Sequence, residues 1–114
     1  MSKSIVYYYT SPSGNNPVKE FIDSLIIGQR VKIRRIFELA ENYGIESIRP
    51  YVKKLSGSPL WEIRVLGKDN IRVLYVGVSE NNIIVLHGFF KNSLNTPIKE
   101  IDTALKRLAI WRNH

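Results

Sequence analysis

Cysteine is absent from the 114 residues. That excludes a disulfide framework, a cysteine nucleophile and a thiolate metal centre. Imidazole is almost as scarce, with only His87 and His114. The two lie far apart in the chain, so no zinc centre, and no other metal or cofactor, is expected. Acid is also in short supply. Ten Asp and Glu against 17 Lys and Arg leave a formal net charge of +7, which favours a polyanionic partner such as nucleic acid. Long apolar runs are missing too. The opening Ile5-Val6-Tyr7-Tyr8-Tyr9 soon meets polar Thr10, Ser11 and Ser13, so neither a signal peptide nor a membrane span is expected, and the cytoplasm is the expected location.

What is present suits one small folded domain over residues 1–114. Hydrophobic residues make up 44% and charged residues 24%, enough apolar surface to close a core. Residues 5–10 read as a first strand closed by Thr10-Ser11-Pro12-Ser13-Gly14. Asn16-Pro17 is a helix start, and Val18, Phe21, Ile22 and Leu25 follow at helical spacing to a stop at Gly28. Ile33, Ile36, Phe37, Ala40 and Tyr43 mark a second helix over about 29–43, ended by Gly44. Beyond Arg49-Pro50 the period becomes alternating. Leu60 to Leu66, Ile71 to Val78 and Ile83 to Phe90 read as three strands joined by turns at Gly67-Lys68-Asp69-Asn70 and Ser79-Glu80-Asn81-Asn82, an antiparallel meander. Thr96-Pro97 repeats the cap-and-proline signal before a C-terminal helix to about residue 111. The expected class is α+β, in the order strand, helix, helix, three-stranded meander, helix.

The basicity is concentrated. Residues 48–79 carry six Lys and Arg against two Asp and Glu, whereas acids and bases nearly cancel over residues 1–47. A turn centred between Arg64 and Arg72 sets these arginines opposite each other. With the second hairpin turning through Asn81-Asn82, His87 falls on the same sheet face. Glu62 has the same parity, so one face is expected to carry Glu62, Arg64, Arg72 and His87, rimmed by Lys53, Lys54 and Lys91. Opposed arginines repel, and an anion between them relieves the repulsion; an ion pair of one of them with Glu62, or with an acid elsewhere, would do so as well. His87 is either an acid–base group or a core histidine bonded to backbone. Trp61, Tyr75 and Phe89 either stack on bases or fill the core. Trp111 reads as a packing residue and His114 as tail.

Residues 53–64, Lys-Lys-Leu-Ser-Gly-Ser-Pro-Leu-Trp-Glu-Ile-Arg, together with Arg72-Val73-Leu74-Tyr75 and Leu86-His87-Gly88-Phe89-Phe90-Lys91, resemble the RelE/HigB superfamily of type II toxins, and within it the HigB-like, phage-derived branch. The likeness continues through Thr96-Pro97 and Glu100-Ile101 to Arg107. It implies a RelE-like fold and a metal-independent endoribonuclease that cuts mRNA, usually on the ribosome. In such enzymes the 2′-hydroxyl attacks the adjacent phosphate. It also implies neutralisation by a cognate antitoxin, of helix-turn-helix type, through which alone operator DNA is contacted. By position, Arg64 and Arg72 match residues that grip the scissile phosphate, and Lys54 and Lys91 match flanking basic positions that hold RNA, with Lys53 beside them. Lys54 and Lys91 can also share the acid–base work, and His87 or Glu62 is the first choice for base or acid. Two departures stand out: Lys91 is followed by Asn92 rather than a second basic residue, and the last helix has no tyrosine. Two alternatives remain: a non-nucleolytic ParE-like toxin acting on DNA gyrase, and a phage-derived module that binds RNA without cutting it.

Overall fold

Alternating apolar residues on the strands and apolar stripes on the helices need a common core to bury them. A computed structural model describes residues 3–65 and 70–113. The elements are β1 (Val6–Tyr8), α1 (Pro17–Ser24), α2 (Ile27–Tyr43), a 3-10 helix (Ile45–Tyr51), β2 (Val52–Lys54), β3 (Trp61–Arg64), β4 (Ile71–Gly77), β5 (Ile83–Phe90) and α3 (Ile98–Arg112). The class is α+β, with a five-stranded mixed sheet in the order β1-β5-β4-β3-β2. The three meander strands pair antiparallel, and β1 lies parallel to β5 with Val6 beside Ile83.

One face of the sheet packs on α1 and α2 through Ile33, Phe37, Ile63, Val73 and Val85. The other packs on α3 through Leu60, Leu74, Leu86, Ala104 and Leu108. The approach of α1 to β5 depends on Gly88. A Cβ there would lie 2.4 Å from a ring carbon of Phe21, and the Phe21 ring in turn meets Phe90 edge-on at 5.5 Å.

The elements depart from the sequence expectations in four places. The first helix ends at Ser24, and Gly28 lies inside the first turn of α2 rather than ending α1. Leu25 and Ile26 are extended between the helices, and the Ile26 N–H donates to Gln29 Oε1. The short edge strand β2, which pairs with β3, has no counterpart in the expected order, because three residues are too few to show alternation. The 3-10 helix before it has none either, and Pro50 lies within it. Finally, α3 starts after Pro97 with no side-chain cap, so Thr96 does not cap it. Of the expected turn between β3 and β4, residues 66–69 lie outside the described residues, as does His114.

Candidate functional site

Strand register assembles the site. Arg64 is paired directly with Arg72 across β3 and β4, as expected. Across β4 and β5, Arg72 pairs with Phe89 and Leu74 with His87, after which the register slips so that Tyr75 faces Val85. Leu86 is therefore the extra residue of a β-bulge. Without it, one face would alternate strictly along β5; with it, both Leu86 and His87 face α3. The expected register sets His87 opposite Val76, two residues further along β4; the observed hairpin is out of phase with it, and the bulge at Leu86 is what returns His87 to the expected face.

Glu62 is the centre of this face. Its side chain is 1% exposed, Oε1 lies 3.6 Å from Arg72 Nε and 4.0 Å from Lys91 Nζ, and Oε2 accepts a hydrogen bond from the Thr96 hydroxyl. Arg72 and Lys91 are themselves only 17% and 12% exposed. Two mostly buried cations thus share one carboxylate. Arg72 Nη1 donates to the carbonyl of Ile71 at 2.9 Å, while its buried Nε has no hydrogen-bond partner. Arg64 is exposed and forms no ion pair with any described residue. Lys53 pairs with Glu62 across β2 and β3 and is also exposed. Lys54 pairs with Trp61 and so belongs to the opposite face, where its ammonium donates to the Ser58 carbonyl. The structure therefore groups Glu62, Arg64, Arg72, Lys91 and Lys53, and sets Lys54 apart.

His87 lies one diagonal step from Arg72, beneath α3. Its Nε2 is 2.9 Å from Glu100 Oε1, and its Nδ1 is 3.1 Å from Arg107 Nη1. An arginine can only donate, so Nδ1 is the acceptor and the proton sits on Nε2, facing the Glu100 carboxylate. The same Arg107 nitrogen donates to the Leu86 carbonyl in the bulge at 2.9 Å, and the guanidinium lies over the Tyr9 ring. Burial pulls the His87 pKa below its ordinary value; the bond to Glu100 opposes this and the Arg107 charge adds to it. His87 is therefore a neutral imidazole linked to α3 at both nitrogens, neither an open base nor a ring bonded to backbone.

Thr96, Glu100 and Arg107 were not singled out as site residues, although the sequence carries a signal for two of them. Glu100 and Arg107 stand four residues before and three after the buried Ala104, on the apolar stripe of an amphipathic helix, where an ionic side chain needs a partner. The aromatic candidates divide between the two cores. Tyr75 is buried against α1 and α2, Phe89 is buried on the α3 side, and Trp61 packs on the first core. A cavity of about 220 Å³ lined by Tyr8, Asn16, Ile22 and Phe37 lies on the α1–α2 side, away from these charges.

The model of the family described as "Phage derived protein Gp49-like (DUF891)" matches residues 20–109. The chain belongs to the Gp49-like phage-derived family. This family is associated with RelE/HigB-like toxins of toxin–antitoxin systems. No curated protein matches the chain. The Gp49-like match spans α2, all of the meander and most of α3, so every residue of the charged face falls within it. Among the described residues of this Gp49-like chain, no helix is long and apolar enough to cross a membrane.

Proposed function

We propose that this Gp49-like protein is the toxin of a type II toxin–antitoxin pair, an endoribonuclease that cleaves mRNA by attack of the 2′-hydroxyl on the adjacent phosphate. The observation that carries the reading is the charge deficit of the face. Glu62 is one carboxylate for two buried cations, and the exposed Arg64 sits across from one of them. A phosphodiester supplies the missing negative charge. Arg64 and Arg72 offer planar donor forks for its oxygens, and they stabilise the extra charge of the phosphorane. Lys91 and Lys53 extend the cationic track along the RNA backbone.

The reaction also needs a base for the 2′-hydroxyl and an acid for the departing 5′-oxygen. His87 supplies the base once Arg107 turns from the neutral Nδ1, a weak acceptor, to an RNA phosphate, a strong one. That proton can then pass to the leaving oxygen, giving a 2′,3′-cyclic phosphate and a 5′-hydroxyl end. Regulation comes from a helix-turn-helix antitoxin that covers this face, and the ribosome presents the mRNA. One observation favours a second reading, in which the face binds RNA without cutting it: both His87 nitrogens are already engaged by Glu100 and Arg107.

Induced expression with and without the neighbouring antitoxin, followed by mapping of mRNA 5′ ends, separates the two. Cleavage predicts growth arrest and new 5′-hydroxyl ends that disappear in a folded Arg72→Ala variant. Arrest without new ends, or cleavage untouched by Arg72→Ala, overturns the nuclease reading.

A further inference from the structure

The two oxygens of the Glu62 carboxylate are used differently. Oε1 faces both Arg72 Nε and Lys91 Nζ, and Oε2 takes the Thr96 hydroxyl. A carboxylate on a flexible side chain has no intrinsic reason to keep that orientation, because rotation about its last bond exchanges the oxygens. The Thr96 hydroxyl supplies the reason. Thr96 precedes Pro97, whose ring fixes its own φ at −59° and restricts the residue before it. Threonine just ahead of a helix is well suited to cap it, yet α3 begins with no side-chain cap and the hydroxyl is directed across to β3.

We propose that Thr96 and Glu62 form a positioning pair: the hydroxyl sets the carboxylate's rotation, and the carboxylate then holds Arg72 and Lys91 side by side for one phosphate of the substrate. Glu62 is on this view neither the acid nor the base. Both of its oxygens are occupied, and at 1% exposure it does not reach a reacting atom. The guanidinium and the ammonium would otherwise repel and separate. The shared carboxylate brings both within 4.0 Å of one oxygen while leaving the pair with a net positive charge. The inference rests on the reading of this face as a phosphate site and assigns its supporting residue, which lies on the segment leading into α3.

The test compares Thr96→Val, Thr96→Ser and Glu62→Gln. The readouts are the Arg72 Nε–H resonance, binding of a 2′-deoxy oligonucleotide that cannot be cleaved, and cleavage of the matching RNA. Thr96→Val should shift or broaden the Arg72 signal and weaken oligonucleotide binding by roughly tenfold, the order expected for one hydrogen bond to a charged group. Thr96→Ser, which keeps the hydroxyl, should restore both. Glu62→Gln removes the charge that holds the two cations together, so oligonucleotide binding should weaken at least as much as in Thr96→Val and kcat should fall, with the acidic limb of the pH profile in place. An unchanged Arg72 signal and unchanged binding in Thr96→Val overturn the proposal, and so does loss of the acidic limb in Glu62→Gln. If Glu62→Gln does not fold, the threonine pair still decides. If the wild-type protein binds the oligonucleotide in a Thr96-dependent way but cuts no RNA, the positioning pair stands and the nuclease reading falls.

Discussion

Arg64 and Arg72 face each other across β3 and β4, and like charges directly opposite destabilise a sheet by a few tenths to about 1 kcal/mol. Glu62 offsets this for Arg72 alone, which leaves Arg64 as a residue kept against local stability. Arg64→Gln should therefore leave the melting temperature unchanged or raise it, while RNA binding weakens; a drop in melting temperature would show that Arg64 is structural. His87 makes a separate prediction. Its pKa is lowered in the fold from the ordinary 6.5, so the unfolded chain binds the proton more readily. The stability this contributes is fully present above about pH 6.5 and is lost as pH falls from there through the folded-state pKa. Thermal unfolding between pH 5 and 8 should show that slope, and His87→Gln, which cannot titrate, should flatten it.

At the level of elements, the contact of α1 with β5 leaves no room for a side chain at Gly88. Gly88→Ala should destabilise by about 1–3 kcal/mol through overpacking. In denaturant titration, Phe21→Leu in the same chain should recover part of the loss if the ring is the obstacle. The β4–β5 turn places Glu80 at φ +53°, a left-handed conformation in which a Cβ is unfavourable by roughly 1 kcal/mol. Glu80→Gly should thus stabilise by up to about 1 kcal/mol, less whatever the added freedom of the unfolded chain takes back. Most elements were legible in the sequence because their periods are long. The eight residues of β5 and the stripe on α2 declare themselves, whereas β2 has three residues and no pattern. Thr96 misled in another way: its cap signal is sound chemistry, but a buried carboxylate is a better acceptor for its hydroxyl than a solvated helix end is a donor.

For the molecule as a whole, the net charge of +7 makes the proposed binding of single-stranded RNA one that should weaken with salt. The expected slope is about −0.7 in log–log form for each phosphate engaged. Arg64→Gln should reduce that slope by about one such unit, whereas Lys54→Gln, on the opposite face, should change it far less. The amino-acid sequence by itself determined the three main helices, the meander, the Arg64–Arg72 pairing and the face of Glu62, because these follow from local periodicity and from a turn that joins adjacent strands; the face of His87 depends on the bulge at Leu86, which no local pattern announces. Only the tertiary structure decided what those side chains are bonded to. Thr96, Glu100 and Arg107 reach Glu62 and His87 from the C-terminal segment, and the docking of α3 depends on apolar contacts between residues far apart in sequence. No local pattern encodes which buried charge will meet which partner once that helix closes on the sheet.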